Sequence, residues 1–259
     1  MKLKDITNII EKWSPLDQAE TFDNVGLLVG NANSNVEKAL ITIDTTEDVV
    51  DEAIKNQCDL IITFHPIIFA ELKQVTENTY VERVVKKAIK NNINIYAVHT
   101  NLDNNPKGVS YKISERLSLK NTSILLKKDN KDIGMGMIGD LNTELNEFEF
   151  FEFLKHKMNV KHIKHSPFLG KKIKKIAVLG GSGSFAINEA INQKVDCYVT
   201  SDLKYHDYFK AEKKILLADI GHYESEHFTK QLILDFFIKK IPKFACIISK
   251  TNTNPVNYF

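Results

Sequence analysis

The sequence predicts an α/β protein, and three observations carry that prediction. Short, continuously apolar runs at residues 39–44, 60–64 and 93–98 each end in polar residues. Stretches with apolar side chains at helical spacing lie between them. A second series, at residues 176–179, 197–200 and 215–220, repeats the scheme further along the chain. Alternation of this kind marks βαβ units around a parallel sheet. Strands without a polar face suit a sheet covered by helices on both sides.

Taken in order, Leu3, Ile6, Ile9, Ile10 and Trp13 fall at the three- and four-residue steps of an amphipathic helix, which Ser14-Pro15 stops. Asp23-Asn24 supplies turn chemistry before residues 25–30, a short buried strand closed by Gly30. Val49, Val50, Ala53 and Ile54 predict a helix after the strand at 39–44, and Val81, Val84, Val85, Ala88 and Ile89 predict one after the strand at 60–64. Leu40 and Leu60 stand 20 positions apart, as do Ala177 and Cys197. That spacing fits either duplication of one unit or two βαβ units of ordinary length. Between the two series the pattern is less regular. Residues 127–132 are polar and lysine-rich and read as a connection between halves, residues 133–141 hold three glycines, and residues 148–158 read as a helix. The expected halves are 1–125 and 126–259, with the last helix free to pack back on the first.

Composition excludes several classes of function. The 259 residues are 43% hydrophobic, enough for a full core, and 35 basic against 33 acidic residues leave a net charge of +2. Such a balance supplies no field to draw nucleic acid or an anionic membrane. No apolar run approaches the roughly 20 residues of a membrane-spanning helix, and Met1-Lys2-Leu3-Lys4-Asp5 has charges where a secretory signal needs an apolar core. A cytoplasmic location is expected. Cys58, Cys197 and Cys246 form no CxxC pair and read as reduced structural thiols.

Chemistry concentrates where the strands end. His65, His99, Asp202 and His222 each stand at or just past the end of an apolar run, and carboxyl ends of parallel strands are where such sheets gather ligands. Imidazole together with carboxylate suits divalent zinc, iron or manganese. His222 and Glu226, four residues apart, share one side of the first turn of a helix whose buried face is expected at Phe228, Leu232 and Phe236. His99 and Asp103 have the same spacing, but Asn104-Asn105-Pro106 follows at once, so a tight loop is expected there. Each feature has a plainer reading: a histidine after a strand is commonly a hydrogen-bonded structural residue, His-xxx-Asp and His-xxx-Glu can be surface ion pairs, and Pro66 can simply end a strand.

Gly180, Gly181, Ser182, Gly183 and Ser184 follow a strand and are expected to open a helix, where backbone amides can cradle phosphate. The run lacks the lysine of a P-loop and is no complete dinucleotide fingerprint. Its competing reading is a tight turn that lets helix and sheet approach closely. Phe148, Phe150, Phe151 and Phe153 read as core and interface rather than a base-stacking platform.

Taken together, these segments resemble the Nif-three-like family, whose members are often labelled GTP cyclohydrolase 1 type 2 homologues. The resemblance runs through Asp23-Asn24-Val25-Gly26-Leu27, Thr63-Phe64-His65-Pro66, His99-Thr100-Asn101-Leu102-Asp103, residues 180–184, Asp202-Leu203-Lys204-Tyr205-His206, residues 221–226 and Asn254-Pro255-Val256. It implies two α/β halves with mixed or mostly parallel sheets flanked by helices, a metal site in the cleft between them, and a toroidal homohexamer. By that resemblance His65 and Asp103 bind one metal, His222 binds a second, and Glu226 bridges both. The family has two adjacent histidines before the proline, and here the first position is Phe64, whose ring has no lone pair to donate. One firm site and a second weaker or absent one are therefore expected. Met137 stands where relatives commonly carry arginine, and the chain is too short for the mid-chain domain of longer relatives.

The activity the resemblance implies is metal-dependent hydrolysis of a nucleotide-type small molecule, opening the guanine imidazole ring of GTP to give 7,8-dihydroneopterin triphosphate and formate. Glu226 and His99 would carry protons, and residues 180–184 would hold the triphosphate. The rival reading is a non-catalytic metal-binding ring that scaffolds or regulates a protein partner.

Overall fold

The continuously apolar runs pair with one another because their backbone polar groups, removed from water, need partners. The computed structural model describes residues 1–128 and 132–259. Of the lysine-rich connection expected at 127–132, residues 129–131 lie outside the described residues. In chain order the elements are α1 (Leu3–Trp13), β1 (Gly26–Val29), β2 (Lys38–Thr42), α2 (Glu47–Lys55), β3 (Leu60–Thr63), α3 (Tyr80–Lys90), β4 (Asn94–Ala97), α4 (Thr100–Asp103) and α5 (Val109–Arg116). They continue with β5 (Lys120–Lys127), β6 (Gly134–Asn146), α6 (Glu147–Met158), β7 (Lys164–His165), β8 (Lys172–Ser182), α7 (Ile187–Asn192), β9 (Cys197–Ser201), β10 (Leu216–Asp219), α8 (His222–Glu226), α9 (Thr229–Lys240) and β11 (Ala245–Ile248).

These elements form two α/β halves, each a mixed sheet flanked by helices. One unit comprises Met1–Leu102 and Phe228–Phe259, the other Asp103–His227. The first unit has strand order β1-β4-β3-β2-β11, with β1 antiparallel to β4 and the other pairs parallel. All four residues of β3 and of β4 are buried, as uniformly apolar strands require. Val49, Val50 and Ala53 of α2 and Val84, Val85 and Ala88 of α3 close over Leu40, Ile61 and Ile95 of the sheet. Each valine, leucine and isoleucine among them contributes about 1.5–3 kcal/mol through removal from water. Thr46 and Thr79 accept the N–H of Val49 and Glu82 and so start these two helices.

Two local expectations are corrected. His99 to Asp103 is not a loop: residues 100–103 make one turn of helix, α4, begun by a carboxylate at its N-terminus. The helix after Glu226 does not run on in phase. A break at His227 and Phe228 separates α8 from α9, so the buried face of α9 is Thr229, Ile233 and Phe237, and Phe228 is buried at the break. Phe236 instead stacks on Trp13 at 4.2 Å between ring centroids.

The second unit has strand order β5-β6-β8-β9-β10-β7. Its β8-β9-β10 pairs are parallel and the flanking pairs antiparallel. The β5 and β6 strands fall where the pattern looked irregular. Glycine permits them: Gly134 has φ +148°, and a side chain there would run into the carbonyl oxygen of Leu126 across the pair. Helix α6 opens with a capping box between Asn146 and Glu149. It buries Phe150 and Phe151 and leaves Phe148 68% exposed, so the phenylalanine run is only partly core.

The βαβ segments of the two units share a construction. Asp59 accepts the N–H groups of Glu37 and Lys38 at 2.8 and 3.2 Å, clamping the start of β2 to the start of β3. Asp196 does the same for Lys174 and Lys175 at 2.9 and 2.8 Å on β8 and β9. Two residues before each aspartate, Gln57 and Lys194 adopt φ of 55° and 54°. A left-handed residue at a helix end is common, Asn92 two positions before Asn94 being another, so the repetition fits duplication of one unit and ordinary βαβ units alike. Among the described residues no helix is long and apolar enough to cross a membrane. Cys58 and Cys197 are buried and Cys246 half-buried, all as free thiols, and burial raises each thiol pKa, that of Cys246 to about 12.

Candidate functional site

In the first unit the ends of β2 and β3 bring His65 to Asp44. The His65 N–H donates to the Ile43 carbonyl at 2.8 Å, extending the parallel pairing beyond the strands. Its Nδ1 lies 2.7 Å from Asp44 Oδ1, and Asp44 Oδ2 accepts the Thr253 hydroxyl at 2.6 Å. Just past β4, His99 Nδ1 lies 2.9 Å from Asp23 Oδ1. The Asp23 side chain is wholly buried. Burial alone would raise its carboxyl pKa, but hydrogen bonds from His99 and from the hydroxyl and N–H of Thr100 outweigh that and hold it at about 2.

The two imidazoles meet edge to face, 5.3 Å between centroids, and the fully buried Phe64 ring packs 5.0 Å from His65 and 5.4 Å from His99. Phe64 therefore fills its position with hydrocarbon. Asp103 ends α4 half-buried, as the first residue of the second unit.

In the second unit His222 opens α8 after Gly221, which has φ +89°. Its Nδ1 lies 2.7 Å from Asp202 Oδ2 and its Nε2 3.1 Å from Glu226 Oε2, so the expected i, i+4 partnership of His222 and Glu226 is present within one helical turn. Asp202 sits at φ +57°, a conformation short polar side chains tolerate. Burial disfavours charge on His222, yet its hydrogen bonds to Asp202 and Glu226 and their negative charges raise its pKa to about 11. The His222 hydrogen bond in turn lowers the Asp202 carboxyl. Two carboxylates on one imidazole, one of them buried, make a pocket of negative potential suited to a cation.

Residues 180–184 do not open a helix. Gly180, Gly181 and Ser182 remain in β8, a 3-10 turn takes Ser184–Ala186, and α7 begins only at Ile187. The Gly181 N–H donates to Ser225 Oγ at 2.9 Å and the Gly183 N–H to the Ser201 carbonyl at 3.4 Å, so two of the amides expected to cradle phosphate are engaged within the fold. The glycines have another use. A Cβ on Gly181, at φ +70°, would overlap Glu226 Oε1 and stand 3.4 Å from His222 Nε2, and one on Gly180 would stand 3.5 Å from Glu226 Cγ. The run keeps the strand surface flat where the Glu226 carboxylate lies on it. Ser182 is exposed and Ser184 half-buried.

Three histidines thus share one arrangement, with Nδ1 on a carboxylate: His65 with Asp44, His99 with Asp23, His222 with Asp202. A carboxylate there places the proton of the neutral ring on Nδ1 and the lone pair on Nε2, as in metal sites where an outer carboxylate orients the ligand. Sequence reading marked Asp202 as a strand-end residue and Asp23 as part of a turn, and assigned neither these three aspartates nor Thr253 a partner. The signal available was position alone, since Asp44 and Asp202 end or follow predicted strands.

Fold and side chains together define an α/β protein whose strand ends gather histidine–carboxylate pairs. The family model Duf34/NIF3 (NGG1p interacting factor 3) matches residues 1–255, and the chain belongs to that family. A GTP cyclohydrolase 1 type 2 homolog of Clostridium acetobutylicum is 37% identical over 231 residues, covering 87% of this chain and 85% of that protein. One from Campylobacter jejuni is 30% identical over 264 residues, covering all of both. Among solved structures, a hypothetical protein of Staphylococcus aureus superposes with a TM-score of 0.92 at 30% identity, covering 100% of this chain and 99% of that one. Reduced HcgD from Methanocaldococcus jannaschii gives 0.81 at 28% identity, covering 97% and 98%.

Proposed function

We propose that this protein is a metal-dependent hydrolase acting on a nucleotide-type small molecule, with GTP as the substrate its relatives' names suggest. The observation that carries the reading is the imidazole and carboxylate pair of His222 and Glu226, 3.1 Å apart in one helical turn, a donor combination suited to divalent zinc, iron or manganese, with His65, oriented by Asp44, proposed as a further ligand. The set fits a metal chemically, because Asp44 and Asp202 occupy Nδ1 of the two rings and leave Nε2 as the donor. Asp103 is the proposed fourth ligand. Phe64 offers no lone pair, and the one lone pair of the neutral His222 ring can serve one ion only, so a second ion would share Glu226 and bind more weakly or not at all.

When bound, the ion supplies Lewis-acid polarisation of water and of the attacked atom. In the proposed reaction one water adds at C8 of guanine and opens the imidazole ring, a second hydrolyses the resulting formamide and releases formate, and rearrangement of the ribose carbons with ring closure onto the freed amine expels one water to leave 7,8-dihydroneopterin triphosphate. His99 Nε2 takes the proton released by the attacking water and gives it up again at the leaving nitrogen, while Glu226, held at the strand surface by the flat Gly180–Gly181 backbone, orients the ligands and the attacking water. Ser182 and Ser184 are the members of residues 180–184 assigned to the triphosphate. A cytoplasmic ring of six copies belongs to the same proposal and is tested by light scattering.

The functional test is formate release from GTP by metal-loaded protein beside Asp103→Ala and Glu226→Ala. Loss in both variants is expected, and equal rates in all three would remove the catalytic reading. Phe64 favours the second reading, a non-catalytic metal-binding scaffold for a protein partner, because clamping by two metals would lack one imidazole. Metal uptake without release of formate or phosphate would select it.

A further inference from the structure

The hydrogen bonds around Asp23 all point one way. Its Oδ1 accepts the N–H of Asn24 at 2.8 Å, and its Oδ2 accepts the N–H of Thr100 at 3.0 Å. The Thr100 hydroxyl accepts the Glu20 N–H at 2.9 Å, so its own proton is directed at Asp23 Oδ2, 2.5 Å away. A carboxylate surrounded in this way is an acceptor only, and its remaining neighbour, His99 Nδ1 at 2.9 Å, has to be a donor. The ring is held on its other sides too. The His99 backbone N–H donates to Asn101 Oδ1 at 2.9 Å, and Phe64, His65 and Phe69 stand at 79–80° to the imidazole plane.

We infer that Asp23 is a positioning residue: it locks His99 in the tautomer with its proton on Nδ1 and presents the opposite nitrogen, Nε2, as the proton acceptor of the site. The use of that base rests on the hydrolase reading above, whereas the tautomer does not. His99 is not one of the proposed ligands, so the carboxylate on its Nδ1 serves a base rather than a metal donor. Asp23 also caps α4 through Thr100, and a purely structural role would be satisfied by that cap alone. Asparagine separates the two roles. Its side-chain oxygen can still accept from Thr100, but its amide would face Nδ1 as a donor and move the ring proton to Nε2.

The test is nitrogen-15 solid-state NMR of histidine-labelled, zinc-loaded full-length protein at mildly alkaline pH, with His99→Asn identifying the His99 signals. The expected result is a protonated Nδ1 and bare Nε2 in the unaltered protein, reversed in Asp23→Asn, with the other histidines unchanged. A bare Nδ1 in the unaltered protein overturns the inference, and so does an Asp23→Asn protein with its tautomer unaltered. The first of these requires no variant to fold. Formate release gives the second readout, with kcat expected to fall about 100-fold in Asp23→Asn at nearly constant KM, in the range general-base catalysis supplies. Full turnover in that variant also overturns the inference. Absence of formate release from the unaltered protein would count against the hydrolase reading and leave the tautomer result standing on its own.

Discussion

Gly181 and Glu226 lie so close that a methyl group on the glycine would occupy the space of the Glu226 Oε1 oxygen. The strand backbone is thereby one wall of the carboxylate's position, and this contact requires glycine at residue 181 of the 180–184 run.

Gly181→Ala should therefore damage the proposed metal centre without touching a ligand. The new Cβ pushes Glu226 away from His222, and φ of +70° adds about 1–2 kcal/mol of backbone strain. Zinc affinity measured by chelator competition is expected to drop roughly 10–100-fold. An unchanged affinity would show that Glu226 does not hold the ion.

The aspartates behind the rings offer a finer probe. Asp44→Asn and Asp202→Asn each leave a proposed ligand histidine in place but let its ring turn or exchange tautomers. Each is expected to weaken zinc binding about 10–100-fold, and the double variant by more than either. If one substitution weakens binding and the other leaves it untouched, the histidine of the unaffected pair is not a ligand.

Much of this architecture is legible in the sequence for one physical reason: buried parallel strands must be apolar throughout, so residues 39–44, 60–64 and 93–98 announce themselves. The β6 strand does not, because Gly134, Gly136 and Gly139 dilute the apolar signal where the backbone passes close to its neighbours. The α9 face is misread for a different reason, since helical phase cannot be carried across the break at His227 and Phe228. The His222 and Glu226 pair is readable because four residues of helix fix it locally. Asp23 and His99 are 76 positions apart, and nothing short of the folded chain reveals that a turn aspartate and a strand-end histidine share a proton.

Asp23 also predicts how stability responds to acid. Its folded carboxyl is held at about 2, below the roughly 3.9 of an unfolded aspartate. The depressed value means its stabilisation is present in full above about pH 4 and is lost as pH falls toward 2. For a side chain wholly buried in the fold a shift of this size amounts to about 2–3 kcal/mol. Asp23→Asn should be less stable by that order at pH 7 in urea unfolding, with the difference shrinking between pH 4 and pH 2. A constant difference across that range would remove the carboxylate's ionisation as the cause.

In the proposed metal centre, Phe64 would limit the number of ions held. The ring is fully buried, with its centroid 5.0 Å from that of His65, so Phe64→His would put a third imidazole beside His65 and His99. Replacing a buried phenyl ring with a smaller polar one sacrifices packing and buries a group that needs a partner, so the metal-free variant is expected to be destabilised by about 2–4 kcal/mol. A metal ion would supply that partner. Zinc content per chain, measured by plasma mass spectrometry after dialysis, should rise from about one toward two. The thermal midpoint should recover on loading by more than that of the unaltered protein, because an ion that binds only the folded state stabilises it by mass action. If the variant is destabilised and zinc neither restores it nor exceeds one ion per chain, the phenylalanine is a packing residue and the proposed second site does not exist.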